Sequence, residues 1–257
     1  MKSAKRNQSG FSILSLMIAS VIGIFIMAGA GKVYIDSKHT FNARSSVAAA
    51  VENYRFAMLD MRRSLVMAGR GIASSLNGTV NGPFPGVAAD GAVDSDGDTG
   101  SSVVAVRYAS GPAPCGLSGE ITTPTIVRFY VDADENLVCE ARTPDHPVYA
   151  QPLVSGIVQM RALYGVDTDT DGIANQYVRT SIVDGSNLWV NVVSVRIGII
   201  ASSGEGQELP AIYQPATAEP LDLLGEDFTP TETNRTYKSA STTIAFRNLD
   251  TTKMYRQ

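Results

Sequence analysis

Apolar residues follow three different patterns along this 257-residue chain. The first is a continuous run. From Phe11 to Gly31 the sequence FSILSLMIASVIGIFIMAGAG carries no charge. As a helix it would be about 31 Å long, roughly the thickness of a bilayer's hydrocarbon core. The second is a stripe. From Lys32 there is no proline until Pro83, and Tyr34, Phe41, Val47, Val51, Tyr54, Met58, Met61, Leu65 and Ala68 recur along it. From Val47 onward the spacing alternates strictly between four and three, the signature of an amphipathic helix with one buried face. An ordinary core helix shows the same stripe. Here the stripe continues directly from the apolar run, which predicts one helix of about 60 residues spanning both. Gly69, Gly71 and the SSLNG of residues 74–78 end it. Gly23, Gly29 and Gly31 are points where it can bend.

The third pattern is alternation. Beyond residue 75, proline, glycine, serine and threonine become frequent and short β-branched runs appear. SVVAVRYA (102–109), TIVRFYVD (125–132), QMRALYGV (159–166), NQYVRTSIV (175–183), LWVNVVSVRIGII (188–200) and TTIAFRN (242–248) read as strands. VVSVRIGII is long and apolar, which predicts a central strand. No helix–strand alternation follows the first 75 residues. The expected fold class is therefore α+β, a mostly antiparallel sheet packed on the amphipathic half of a long helix. Residues 201–241 read as a long irregular excursion before the last strand, a length usually associated with function. The organisation expected is a leader at 1–10, an apolar helix half at 11–31, an amphipathic half at 32–75 and a β-rich head at 76–257.

Charge sharpens this division. The chain holds 21 basic and 25 acidic residues, a formal net charge of -4. Lys2, Lys5 and Arg6 precede the apolar run, so the positive-inside rule predicts a cytoplasmic N-terminus and a head across the membrane. Without these three the balance is 18 basic against 25 acidic residues. The composition excludes a disordered chain, a collagen-like repeat and a disulfide-dense miniprotein. It gives no strong nucleic-acid signal. The apolar run exceeds that of an ordinary secretory signal and lacks a clear small-residue cleavage loop after it.

The junction QSGFSILSLMIAS resembles the class III signal of type IV prepilins: a short basic leader, a glycine, then a phenylalanine opening an apolar helix. The resemblance implies cleavage between Gly10 and Phe11 by a prepilin peptidase, and N-methylation of Phe11. Pilins usually carry glutamate at the fifth mature position, where it neutralises a neighbouring subunit's N-terminal ammonium. Here that position is Ser15. An unpaired charge in an apolar core is costly, so a subunit without the carboxylate is suited to the top of a priming complex; neutral drift in a low-copy subunit is the alternative. The head resembles the PilW group of minor pilins. The carrying residues are AVRYA with PCG (114–116), NLVCE (136–140), YGVDTDTDGIANQY (164–177), Trp189 with VVSVRIGII, and TTIAFRN. The resemblance implies a type IV pilin-like fold and a minor pilin that helps prime pilus assembly near the tip, supporting twitching motility, adhesion or DNA uptake. The implied partners are other minor pilins, the major pilin, prepilin peptidase and the inner-membrane assembly machinery. The implied location is the inner membrane as a single-pass protein with a periplasmic head, then the pilus at the cell surface. A type II secretion pseudopilin and a membrane-anchored periplasmic binding protein or enzyme are the alternative readings.

Cys115 and Cys139 are the only cysteines. The expected topology places both in an oxidising compartment and predicts a disulfide; a reactive or metal-binding pair is the alternative. Two acidic stretches invite a calcium reading. Asp94, Asp96 and Asp98 lie in VDSDGDTG, and Asp167, Asp169 and Asp171 in DTDTDG. The second supplies loop positions one, three and five, with Gly172 at six and Asn175 at nine. Position twelve is Val178, which offers no carboxylate, and a solvated turn explains the same residues. Apart from this candidate no cofactor is expected. His39 and His146 sit in no arrangement with a nucleophile, and no phosphate loop or GxSxG turn is present, so no enzyme activity is expected.

Overall fold

The computed structural model describes residues 13–72, 84, 100–143, 146–204 and 206–249. A helix, α1 (Ile13–Leu65), leads into a head built on two four-stranded antiparallel sheets. Helix α1 runs unbroken through Gly23, Gly29 and Gly31. It ends at Leu65, short of the residue 75 expected from the pattern. Two contacts with the first sheet strand capture the chain there: the Gly69 amide donates to the Arg107 carbonyl, and the Ala109 amide to the Arg70 carbonyl. Gly69 and Gly71 adopt left-handed backbone at φ 81° and 75°, which glycine enters without a Cβ penalty.

The first sheet has the order β1 (Val104–Tyr108), β4 (Thr125–Val131), β5 (Asn136–Thr143), β6 (His146–Ser155). A small hairpin of β2 (Gly111–Pro112) and β3 (Glu120–Ile121) bridges β1 and β4. The second sheet has the order β12 (Tyr237–Ala245), β9 (Val192–Ser202), β7 (Ile157–Val166), β8 (Gln176–Val178). Period-two patterning explains these strands: in β4, Thr125, Val127, Phe129 and Val131 point inward. Central position explains β9, which is buried on both faces over nearly its whole length. One core joins both sheets to the helix through Met61, Leu65, Phe129, Leu137, Met160, Ile197 and Ile199.

The sheets meet at a corner. Gly156 connects β6 to β7 at φ 76°, and its carbonyl accepts from the Ser202 amide at 2.7 Å. The Asn53 amide group of α1 donates to the Ser202 carbonyl at 3.1 Å. Helix α1 reaches this corner on small residues: Ser46, Ala50 and Ala57 are buried, whereas Val47 is exposed and Val51 half-buried. The buried stripe is therefore displaced by one position over its first turns from the Val47–Val51 row that spacing predicts. Close approach of two backbones selects small side chains over large apolar ones. Past Tyr54 the expected Met61, Leu65 and Ala68 take over.

The structure corrects other expectations. NQYVRTSIV forms only the three-residue β8, then turns into α2 (Thr180–Gly185). Thr180 and Val183 drive this by burying themselves, and Asp184 accepts from the Trp189 indole at 3.1 Å. Six residues are too few to show a helical period. Leu188–Asn191 is a 3-10 turn, so the strand expected from residue 188 begins at Val192. Strand β12 begins at Tyr237, five residues before the expected 242. Strands β5 and β6 were not read from the sequence. Strand β6 contains Pro147 and Pro152, tolerated because it is the outer strand of its sheet.

The corner generates a prediction. A Cβ on Gly156 would lie 2.9 Å from Asn53 Nδ2 and 3.1 Å from the Ser202 carbonyl oxygen. Gly156→Ala adds left-handed strain of about 1–2 kcal/mol to overpacking of about 1–3 kcal/mol, a loss readable by urea unfolding.

Candidate functional site

The first half of α1 has no buried apolar window among the described residues. It is long and apolar enough to cross a membrane, and none of that window is buried in the chain. Large apolar side chains point in every direction around it; Phe25 is 75 % exposed. A helix apolar on all sides needs lipid or other helices around it. Ser15 lies exposed in its first turns. Its hydroxyl brings no charge into that surface. Gly10 and Phe11 lie outside the described residues.

Head and helix are joined by polar ties that converge from residues 202–236. Ser46 and Thr236 share a hydroxyl contact at 2.8 Å, Ser45 donates to the Gln207 side-chain oxygen at 2.9 Å, and Thr40 meets the Tyr213 hydroxyl at 3.5 Å. Arg235 grips Glu135, from the β4–β5 turn, with both terminal nitrogens at 2.6 and 3.1 Å, and Glu232 with Nε. Partial burial opposes its charge, but the bonds to Glu135 and Glu232 outweigh this and raise its pKa. Farther along, β10 (Leu221–Asp222) and β11 (Asp227–Phe228) form a hairpin that lays Leu223 over Gly198 on the outer face of β9. Glu226 of this hairpin pairs with both Arg161 and Arg179. The excursion expected at 201–241 is thus a strap, tied to the helix and both sheets. Apart from Glu232 and Arg235, the partners in these pairs lie far apart in the chain, and no sequence signal marks them.

Cys115 and Cys139 form a disulfide with Cα atoms 5.3 Å apart. The bond fastens the β2–β3 hairpin to the middle of β5. In the loop-entropy account, constraining this loop contributes about 3.5 kcal/mol.

Asp167, Asp169 and Asp171 come together, each offering one oxygen within 4.8 Å of the others. Asp167 is buried, and its carboxylate accepts from the backbone amides of Asp169, Thr170 and Gly172. Its neighbours are exposed. The Asn175 amide, at 3.0 Å, leads the interactions that lower the pKa of Asp169. Val178 lies in β8 and supplies no carboxylate to the loop. Asp94, Asp96 and Asp98, and the side chain of His146, lie outside the described residues. His39 sits half-buried on α1, where the head begins.

A family model described as Type IV Pilus-assembly protein W, PilW, matches residues 126–248, from the second residue of β4 to just beyond β12. Over that stretch, just under half of its length, the chain is similar to PilW. The match contains Cys139, the Asp167 turn and the strap. Among solved structures, a type IV-like pilin from Thermus thermophilus aligns with 77 % of this chain and 97 % of its own, at 13 % identity and a TM-score of 0.44. No curated protein matches the chain in sequence.

The Asp167 turn yields a prediction that separates turn from ion. Asp167→Ala leaves three backbone amides without their acceptor and is expected to cost about 2–4 kcal/mol. The loss should be the same in calcium and in chelator, measured by thermal unfolding. A loss seen only with calcium present would assign the carboxylates to an ion.

Proposed function

We propose that this PilW-like chain is a minor pilin that primes pilus assembly from the inner membrane and remains at or near the pilus tip. The carrying observation is the pairing of a PilW-type head with an unbroken helix whose first half exposes apolar side chains all around. Such a helix is stable in two settings, a bilayer or a bundle of like helices. Transfer from one to the other is what assembly requires of a pilin. The basic leader and the Gly10–Phe11 junction fit cleavage ahead of that helix, so that the apolar half is retained. The head then lies periplasmic before assembly and at the cell surface afterwards. Its partners are other minor pilins and the major pilin.

Ser15 supports placement at the top. A carboxylate at this position would answer a neighbour's ammonium inside the apolar bundle; a hydroxyl cannot neutralise it. A chain with Ser15 therefore fits best where that pairing is not demanded of it.

The processing step is tested by intact-mass analysis of the mature protein. A chain beginning with methylated Phe11 is expected, and retention of residues 1–10 would overturn the reading. Position is tested by immunogold labelling of assembled fibres. Label confined to ends is expected, and uniform label along the shaft would refute tip placement. Ser15→Glu is expected to reduce priming, measured as the number of pili per cell.

A further inference from the structure

The strap reaches its helix-entry extremity at a 3-10 turn, Ala211–Tyr213, beside Thr40. This turn is built rather than loose. The Gln214 side-chain amide donates to the Leu209 carbonyl at 2.7 Å, closing the loop, and the Leu209 amide donates to the Asn234 carbonyl at 2.6 Å, anchoring it. Pro210 precedes the turn at φ -54°. Yet the closed loop presents apolar groups outward: Ile212 is 64 % exposed and Tyr213 46 %. On the adjoining helix, Tyr34, Ile35 and Phe41 are exposed as well.

Position along α1 names the occupant. Past the uncharged run, which ends at Gly31, Val33, Tyr34 and Ile35 extend the exposed apolar surface; from Ile13 to Ile35 the helix is about 33 Å long, enough to cross the hydrocarbon core with a slight tilt while Lys32 snorkels to its edge. Thr40 lies about 7.5 Å farther on, which is about the depth of one headgroup layer. Lys32 and Lys38 lie about one turn on either side of Ile35 and can extend their ammonium groups to phosphates. Tyrosines with an apolar ring and a polar tip are suited to the same layer. We propose that the Pro210–Tyr213 turn is a lipid-contacting foot that seats the head on the outer surface of the inner membrane, with Ile212 entering the headgroup layer. This rests on the membrane-anchored reading of α1. The foot holds the precursor at a set height and orientation, and leaves the bilayer when the helix is extracted.

The test uses the full chain in vesicles of phosphatidylethanolamine and phosphatidylglycerol. Ile212→Cys is labelled with an environment-sensitive fluorophore, the native cysteines being held in their disulfide. Ile173→Cys is the control. Ile173 is 67 % exposed in the loop after β7. That end of β7 pairs with the start of β9, which pairs with the end of β12, and Asn248 just beyond β12 bonds the Val66 carbonyl past the far end of α1, an end about 37 Å beyond Thr40 along the helix. Both positions are exposed, so both variants retain the fold, checked by circular dichroism. Lipids carrying a nitroxide near the headgroup are expected to quench the 212 probe at least about twofold more than the 173 probe. Equal, weak quenching in protein that floats with the vesicles overturns the foot and leaves the turn to a protein partner. Failure to float overturns the membrane reading beneath it.

Discussion

Everything in the head depends on how closely α1 approaches the corner where the chain leaves one sheet for the other. Asn53, Gly156 and Ser202 meet there through two hydrogen bonds, and each belongs to a different part of the fold. The helix comes near enough only because Ser46, Ala50 and Ala57 face inward. A large side chain on that row would hold the helix away and leave the Ser202 carbonyl without its side-chain partner. The sheets could not then share the core that Met61 and Leu65 complete.

From this corner the polar interactions follow. The helix carries little charge on its buried face, so head and helix are held by hydroxyl and amide contacts, while the ion pairs are used between parts of the head. Arg235 ties the strap to the β4–β5 turn, and Glu226 ties the hairpin to the second sheet. These pairs are partly exposed and individually modest in energy. Their value is in direction: they close the strap over Gly198, where the missing side chain gives Leu223 room. The strap thereby brings Tyr213 back to Thr40 at the foot of the head.

One helix therefore serves two environments in series. Its first half has no inward face, and its second half has a single one. The chain needs no hinge between them, because the same hydrogen-bonded backbone satisfies itself in lipid, in a helix bundle and against a sheet. The apolar rod and the head thus describe one device, with the orientation of the head relative to the rod set by the corner.

The sequence by itself determined the elements whose signal is local. An uncharged run predicts an apolar helix, a four-three alternation predicts its amphipathic continuation, and VVSVRIGII predicts a central strand because both faces must be apolar. Tertiary structure decided what depends on distant partners. The shift of the buried stripe to Ser46 and Ala50 follows from backbone approach, which hydrophobicity does not encode. Strands β5 and β6 carry no clear local period, because polar residues in both and prolines in β6 interrupt it, and pairing with neighbours makes them strands. SIV at 181–183 has strand-like residues, yet Val183 is better buried from a helix that also aligns Asp184 with Trp189. The role of residues 207–236 was invisible for the same reason. Glu135 and Arg235 are far apart in the chain, and only folding brings the carboxylate to the guanidinium.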